Sequence, residues 1–137
     1  METGQSASPS GRKRIVDFKD LETWKLARQL RGGIYRTAAG FPKEETYGLS
    51  AQIKRAAISV TANLAEGFGR YSYQENLQFC RQSRGSLYEV RDHLTTALDA
   101  GYISQETYAM LDATAVSAIR LVNGYIRSTK KLRQDTK

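Results

Sequence analysis

The chain has 137 residues, 40% of them hydrophobic and 26% charged, with a single cysteine. This length fits one domain with one hydrophobic core, and one cysteine excludes an internal disulfide and favours a reducing compartment. Because no stretch approaches the roughly 20 apolar residues that span a bilayer and the first residues lack the apolar core of a secretory signal, we expect a cytoplasmic protein without membrane contact.

The formal net charge of +7 is concentrated at the two ends of the chain. Residues 20–119 contain 11 basic and 11 acidic side chains and are therefore neutral. Residues 1–19 carry a net charge of +2 and residues 120–137 a net charge of +5. This excess at the ends is larger than helix capping needs, so it favours an anionic polymer as a partner.

The first seventeen residues are predicted to be a disordered basic arm. Residues 1–14 are rich in Ser and Gly, lack large apolar side chains and end in Arg12, Lys13 and Arg14. Such a composition cannot bury enough apolar surface to fold by itself. The folded domain is predicted to span residues 18–132, and residues 133–137 are predicted to form a basic tail.

Apolar residues at helical spacing predict two helices in the first half of the domain. The first ends at Gly40, and the second begins near Glu44 and ends at Gly67. Their predicted inward residues are Leu21, Trp24, Ala27, Ile34 and Ala38 in the first helix, and Leu49, Ile53, Ala56, Ala57, Val60 and Leu64 in the second.

The second half predicts two further helices. Ser72 and Glu75 form a Ser-x-x-Glu capping box at the start of the third helix, Gly101 ends that helix, and Ser104 caps the fourth. The predicted inward residues are Leu77, Cys80, Leu87, Leu94 and Leu98, then Tyr108, Leu111, Ala115, Ile119, Val122 and Ile126. The short connections predict an all-α, antiparallel up-and-down four-helix bundle.

In this topology the start of the first helix, the turn between the second and third, and the end of the fourth lie at one pole of the bundle. The basic and aromatic residues of these segments are the predicted nucleic-acid-binding residues: Arg12, Lys13, Arg14, Arg70, Tyr71, Tyr73, Lys130, Lys131 and Arg133. The cations would contact phosphates, and the tyrosines either stack on unpaired bases or pack on helix ends.

Catalytic, metal and cofactor sites are not predicted. The only histidine, His93, lies four residues from Glu89, which does not match the Glu-x-x-His spacing of di-iron bundles and favours a solvated helix face. Cys80 lies on an apolar stripe and is predicted to be an inert buried thiol. The Gly-Phe-Gly-Arg run at residues 67–70 lacks the lysine of a phosphate-binding loop.

Two residues suggest specific packing. Glu66 stands at the predicted end of the second helix, where the helix dipole disfavours an anion, so an ion pair with Arg70 or Arg81 is expected. Gly85 lies inside the third helix, where a glycine costs about 1 kcal/mol relative to alanine. That cost indicates close approach of another backbone, either from a neighbouring helix or from another subunit.

Five segments in a fixed order resemble a known bacterial family. They read DLETWKLA at residues 20–27, FPKEE at 41–45, GLSAQIKRAAISV at 48–60, NLAEGFGR at 63–70 and GSLYE at 85–89. The sequence looks like the four-helix bundle family that includes proteins encoded in intervening sequences of 23S rRNA genes. The resemblance implies a homopentamer with a central channel and no catalytic residues. It also implies a distant kinship with the accessory variability determinant (Avd) proteins of diversity-generating retroelements, which associate with a reverse transcriptase and nucleic acid.

The sequence therefore predicts a non-enzymatic, homo-oligomeric accessory protein that binds nucleic acid, with RNA favoured, through the basic pole of its bundle. The alternative is a protein-interaction scaffold that docks a partner enzyme such as a reverse transcriptase. A small-molecule site in a central channel is a third, minor hypothesis.

Overall fold

The computed structural model describes residues 14–135, which form four α-helices. They are α1 (Glu22–Ala38), α2 (Leu49–Phe68), α3 (Tyr73–Asp99) and α4 (Gln105–Asp135). Short 3-10 turns precede α1 at Phe18–Asp20 and α2 at Lys43–Glu45, and this part of the chain contains no β-strand. The predicted all-α class is confirmed.

The four helices form a closed ring of antiparallel neighbours. Helix α1 packs against α2 and α4, and α3 packs against the same two helices from the opposite side. The predicted up-and-down four-helix bundle is therefore confirmed. At one end of the bundle lie the start of α1, the α2–α3 turn and the end of α4. We call this end the basic pole, defined by Arg14, Arg70, Tyr71, Tyr73, Arg127, Lys130, Lys131 and Arg133.

The core consists of the apolar stripes that helical spacing predicts. All the predicted inward residues are buried except Leu98 and Tyr108, which are half-buried. Leu64, Leu87 and Leu94 are among the side chains with no exposed surface. Burying each such leucine contributes about 1.5–3 kcal/mol relative to leaving it exposed.

The predicted helix boundaries after α2 are confirmed. The Ser72 hydroxyl accepts a hydrogen bond from the Glu75 N–H at the start of α3 (3.3 Å), and the Ser104 hydroxyl accepts one from the Thr107 N–H at the start of α4 (3.0 Å). Gly101 has a φ of +78°, a left-handed conformation that terminates α3 and that side chains other than glycine rarely adopt.

The predicted start of the second helix is wrong by about one turn. Glu44 and Glu45 lie in a separate 3-10 turn, and α2 begins at Leu49. The Glu45 carboxylate accepts hydrogen bonds from the Leu49 N–H and from the Tyr102 hydroxyl, both at 2.9 Å. Glu45 therefore caps α2 from outside the helix and fastens it to the α3–α4 turn. Spacing alone cannot separate this arrangement from one continuous helix.

These two hydrogen bonds predict a pH dependence of stability. The Leu49 N–H, and then the Tyr102 hydroxyl, lower the pKa of Glu45 from its usual 4.5. The pKa of Glu45 is lower in the folded protein than in the unfolded chain. The ionised carboxylate therefore contributes its full stabilisation above the unfolded pKa, and this contribution is lost as the pH falls through the folded pKa. We expect Glu45→Gln to be less stable than the natural chain near neutral pH, and the difference to shrink below about pH 4.5. Urea unfolding over a pH series measures this, and a difference independent of pH would contradict it.

The predicted end of the second helix at Gly67 is also wrong. Helix α2 continues to Phe68, and Gly67 is buried within it against α3. A Cβ atom at Gly67 would lie 2.6 Å from Oδ1 of Asn76 and 2.9 Å from Cβ of Phe79. This glycine therefore does not end the helix; it lets α2 and α3 approach closely at the basic pole.

Candidate nucleic-acid interface

The register between α3 and α4 places the end of α4 at and beyond the α2–α3 turn. Nδ2 of Asn76, in the first turn of α3, donates to the Tyr125 hydroxyl at 3.0 Å. Asn76 and Tyr125 therefore lie at the same height along the bundle axis. Lys130 comes five residues after Tyr125, so the segment from Lys130 to Asp135 lies at the height of Tyr73 or extends beyond it. At 1.5 Å per residue, the last five residues extend about 8 Å.

Three cations near the end of α4 are exposed and have no carboxylate close by within residues 14–135. Arg127, Lys130 and Lys131 are exposed, and Arg133 is half-buried. Within residues 14–135, no carboxylate lies within 4.0 Å of the charged groups of Arg127, Lys130 or Lys131. Arg127 was not among the predicted site residues, although its spacing of three and four residues to the two lysines places all three on one side of α4.

Arg70 is engaged within the protein. Its Nη2 forms an ion pair with Oε2 of Glu66 at 2.6 Å, which confirms the expected pairing of that carboxylate. The Arg70 guanidinium also lies 4.9 Å from the ring centroid of Phe79. Because the guanidinium already has a carboxylate and an aromatic ring as partners, Arg70 is better placed to order the α2–α3 turn than to contact phosphates strongly.

The two tyrosines of the turn differ in exposure. Tyr71 is fully exposed, and Tyr73, the first residue of α3, is about one-third exposed. The ring of Tyr71 is therefore available to a ligand, whereas Tyr73 is partly packed. Exposure of an aromatic ring beside cations is what stacking on an unpaired base needs.

The N-terminal arm is described only from Arg14 onward. Arg14 is exposed and precedes the turn at Phe18–Asp20, where an Asp20 carboxylate oxygen accepts hydrogen bonds from the N–H groups of Val16 and Asp17, both at 2.9 Å. The predicted contacts Arg12 and Lys13 lie outside the described residues.

The helices differ in net charge, although the charges of residues 20–119 sum to zero. Helices α1 and α2 together carry six basic and two acidic side chains, whereas α3 carries three basic and four acidic ones. Both acidic residues of α1 and α2 are paired: Glu22 with Lys25, and Glu66 with Arg70. A separate count of charge for each predicted helix, instead of one sum over residues 20–119, would have identified the side formed by α1 and α2 as basic.

Two further residues that the sequence singled out, Cys80 and Gly85, both lie within α3. Burial raises the pKa of the Cys80 thiol to about 11, so it is protonated and unreactive at neutral pH. Gly85 is exposed, and a Cβ atom there would meet nothing within 4 Å, so no neighbouring helix of the bundle approaches it. Over residues 14–135, no cluster of His, Cys, Asp and Glu side chains could hold a metal ion. No helix in that range is long and apolar enough to cross a membrane.

Comparison with known proteins agrees with this fold. The sequence matches the model of the 23S rRNA-intervening sequence protein family over residues 19–124. A crystal structure from Bacteroides thetaiotaomicron, of a protein with unknown function from the S23 ribosomal protein family, is similar with a TM-score of 0.68. The two chains are 18% identical over 76% of this chain and 97% of that one, which supports the fold alone. No curated protein matches the sequence.

Proposed function

We propose that this chain, which belongs to the 23S rRNA-intervening sequence protein family, is a non-enzymatic, homo-oligomeric accessory protein that binds RNA through its basic pole. The family description associates its members with ribosomal RNA genes, and RNA is accordingly the favoured polymer. The family match does not cover most of the residues that would make the contact, and the case for them rests on their placement in this structure. Those outside the matched range are Arg14, Arg127, Lys130, Lys131 and Arg133.

The observation that carries the proposal is a set of three exposed cations on the last turns of α4, Arg127, Lys130 and Lys131, none of which has a carboxylate within 4.0 Å in residues 14–135. Cations near a helix C-terminus offset the helix dipole, but that effect is confined to about the last turn and supplies only 0.3–1 kcal/mol each. Arg127 lies more than two turns from Asp135, so capping does not account for it. A phosphate backbone does account for the whole set.

Assembly would multiply this surface. If the subunits are arranged in parallel around an axis, as in the proposed homopentamer, the basic poles lie side by side and form a ring of cations. Such a ring binds phosphates with little sequence preference, since backbone contacts carry no base identity. Tyr71, fully exposed in the α2–α3 turn, would stack on unpaired bases, which favours single-stranded or looped RNA over duplex.

Binding of labelled single-stranded and duplex RNA and DNA near physiological salt tests the proposal, with the molecular mass of the protein measured in parallel by sedimentation. We expect binding of RNA by an oligomeric protein, with single strands bound more tightly than duplexes.

No binding of any of the four polymers by intact, oligomeric protein would overturn the proposal. The alternative function would then be a scaffold that docks a partner enzyme such as a reverse transcriptase. Equal affinity for RNA and DNA would retain the basic pole as a binding surface but remove the preference for RNA.

A further inference from the structure

A groove runs along the outer surface between α1 and α2. One recess in it has a volume of about 390 Å³ and is lined by Arg28, Arg31, Gly32, Tyr35 and Ile58. A second recess, of about 280 Å³, is lined by Phe18, Trp24, Arg31, Ile58, Thr61, Ala62 and Ala65. Because Arg31 and Ile58 border both recesses, the two form one continuous groove.

Two cations lie beside aromatic rings at this groove, one beside the buried ring of Trp24 and one beside the exposed ring of Tyr35. The Arg28 guanidinium lies 5.6 Å from the Trp24 ring centroid, and the Lys54 ammonium lies 5.6 Å from that of Tyr35. Nη1 of Arg31 donates to Oγ1 of Thr61 at 2.9 Å, which fixes the guanidinium at the border of the two recesses. Flat aromatic surface beside a positioned cation is the combination that holds a base and its phosphate.

The electrostatics of the groove select an anion. Within residues 14–135, no carboxylate lies within 4.0 Å of the charged groups of Arg28, Arg31, Lys54 or Arg55. No acidic side chain lines either recess in that part of the chain. A phosphate in the larger recess would therefore meet the guanidinium groups of Arg28 and Arg31 and no lining carboxylate.

The groove leads to the basic pole. Since α1 begins and α2 ends at that pole, the recess at Trp24 and Ala65 lies nearer to it and the recess at Tyr35 lies farther along the bundle. A strand held at the pole would therefore continue along the groove. Its only exposed large apolar side chains are Tyr35 and Ile58, each 44% exposed. Burying the guanidinium groups of Arg28 and Arg31 in a subunit interface would cost free energy unless the partner supplied carboxylates to pair with them.

We propose that the groove between α1 and α2 is a second binding site, which holds an unpaired segment of the RNA strand anchored at the basic pole; this inference rests on the proposed function. A base would stack on Tyr35 and displace the Lys54 ammonium from the ring toward the neighbouring phosphate. Arg31 would hold the next phosphate between the two recesses, and the Arg28 guanidinium offers a further planar surface for stacking.

The test uses two variants that alter the groove in opposite ways. Tyr35→Leu removes the stacking ring without changing charge, and Gly32→Leu fills the larger recess, where a Cβ atom would meet only Nη1 of Arg36 at 3.3 Å. The matched control is Tyr47→Leu, because Tyr47 is 94% exposed at the opposite pole. We expect each groove variant to lower the affinity for an oligouridylate of about eight nucleotides by roughly 5- to 150-fold, and the control to leave it unchanged.

The single tryptophan, Trp24, provides an independent readout in the natural chain. We expect its fluorescence to change on addition of the oligouridylate and to remain constant with inorganic polyphosphate, which carries charge but no bases. Natural affinity in both groove variants with constant Trp24 emission would overturn the groove site while leaving RNA binding by the pole intact. A change in the mass of the RNA-free assembly in Tyr35→Leu would assign the groove to a second subunit and also overturn the inference. Absence of RNA binding by the natural chain would overturn both proposals.

Discussion

Replacing Gly67 with alanine is expected to lower the free energy of unfolding by up to about 2 kcal/mol, because overpacking a filled core costs about 1–3 kcal/mol and the helix propensity of alanine recovers about 1 kcal/mol. An added methyl group would lie 2.6 Å from Oδ1 of Asn76 and 2.9 Å from Cβ of Phe79, so α2 and α3 must separate. The loss includes the Asn76 side chain, whose Nδ2 donates to the Tyr125 hydroxyl and whose Oδ1 accepts from the Cys80 thiol.

Gly85→Ala is the matched control and is expected to shift stability in the opposite direction. Gly85 is exposed within α3, and a Cβ atom there would have open space around it. The substitution should therefore raise the free energy of unfolding by about 0.5–1 kcal/mol, through helix propensity alone. Urea denaturation of both variants measures the two shifts. Equal shifts would contradict the packing account of Gly67, and a loss at Gly85 would indicate that another subunit approaches it in the assembly.

Neutralising the end of α4 is expected to weaken the binding of RNA strongly. The variant Lys130→Ala, Lys131→Ala, Arg133→Ala removes up to three phosphate contacts, and we expect its affinity for single-stranded RNA near physiological salt to fall roughly 10- to 100-fold. The loss should be similar for different RNA sequences, because phosphate contacts do not read bases. Competition binding with several oligonucleotides measures both the size and the uniformity of the loss.

The control for this variant removes the same total charge elsewhere. Arg36, Lys43 and Arg81 are exposed, lie away from the end of α4, line neither recess of the groove, and have no carboxylate within 4.0 Å in the part of the chain that the structure describes. Their triple replacement with alanine should leave RNA affinity within about threefold of the natural value, since screening at physiological salt limits the effect of distant charges. An equal loss in both variants would mean that net charge, and not the basic pole, governs binding.

The helices could be predicted from the sequence because apolar residues spaced three and four apart mark the face of a helix that is buried. Stripes such as Ile53, Val60 and Leu64 in α2 are uninterrupted, and all three residues are buried. The serine caps at α3 and α4 were predictable for a similar reason, since a cap depends on two residues three positions apart. Local signals of this kind determine the fold class and the order of the helices.

Features that depend on tertiary contacts were not predictable in the same way. In the sequence, Gly67 resembles a glycine that ends a helix. In the structure, its missing side chain allows α3 to pack close to α2. The capping role of Glu45 depends on Tyr102, a residue 57 positions away. The groove is formed by residues from α1, α2 and the turn before α1, and the neutral sum of charge over residues 20–119 conceals its basic character. Only the packing of the helices brings these groups together.

The central claim is that phosphate contacts at the basic pole drive binding, and the salt dependence of affinity tests it most directly. The logarithm of the association constant for single-stranded RNA should fall linearly with the logarithm of salt concentration, with a slope of about −0.7 for each contact. The account predicts that the variant at Lys130, Lys131 and Arg133 has a slope shallower by about 2 than the natural chain, whereas the control at Arg36, Lys43 and Arg81 keeps the natural slope. Identical slopes in all three proteins would contradict it.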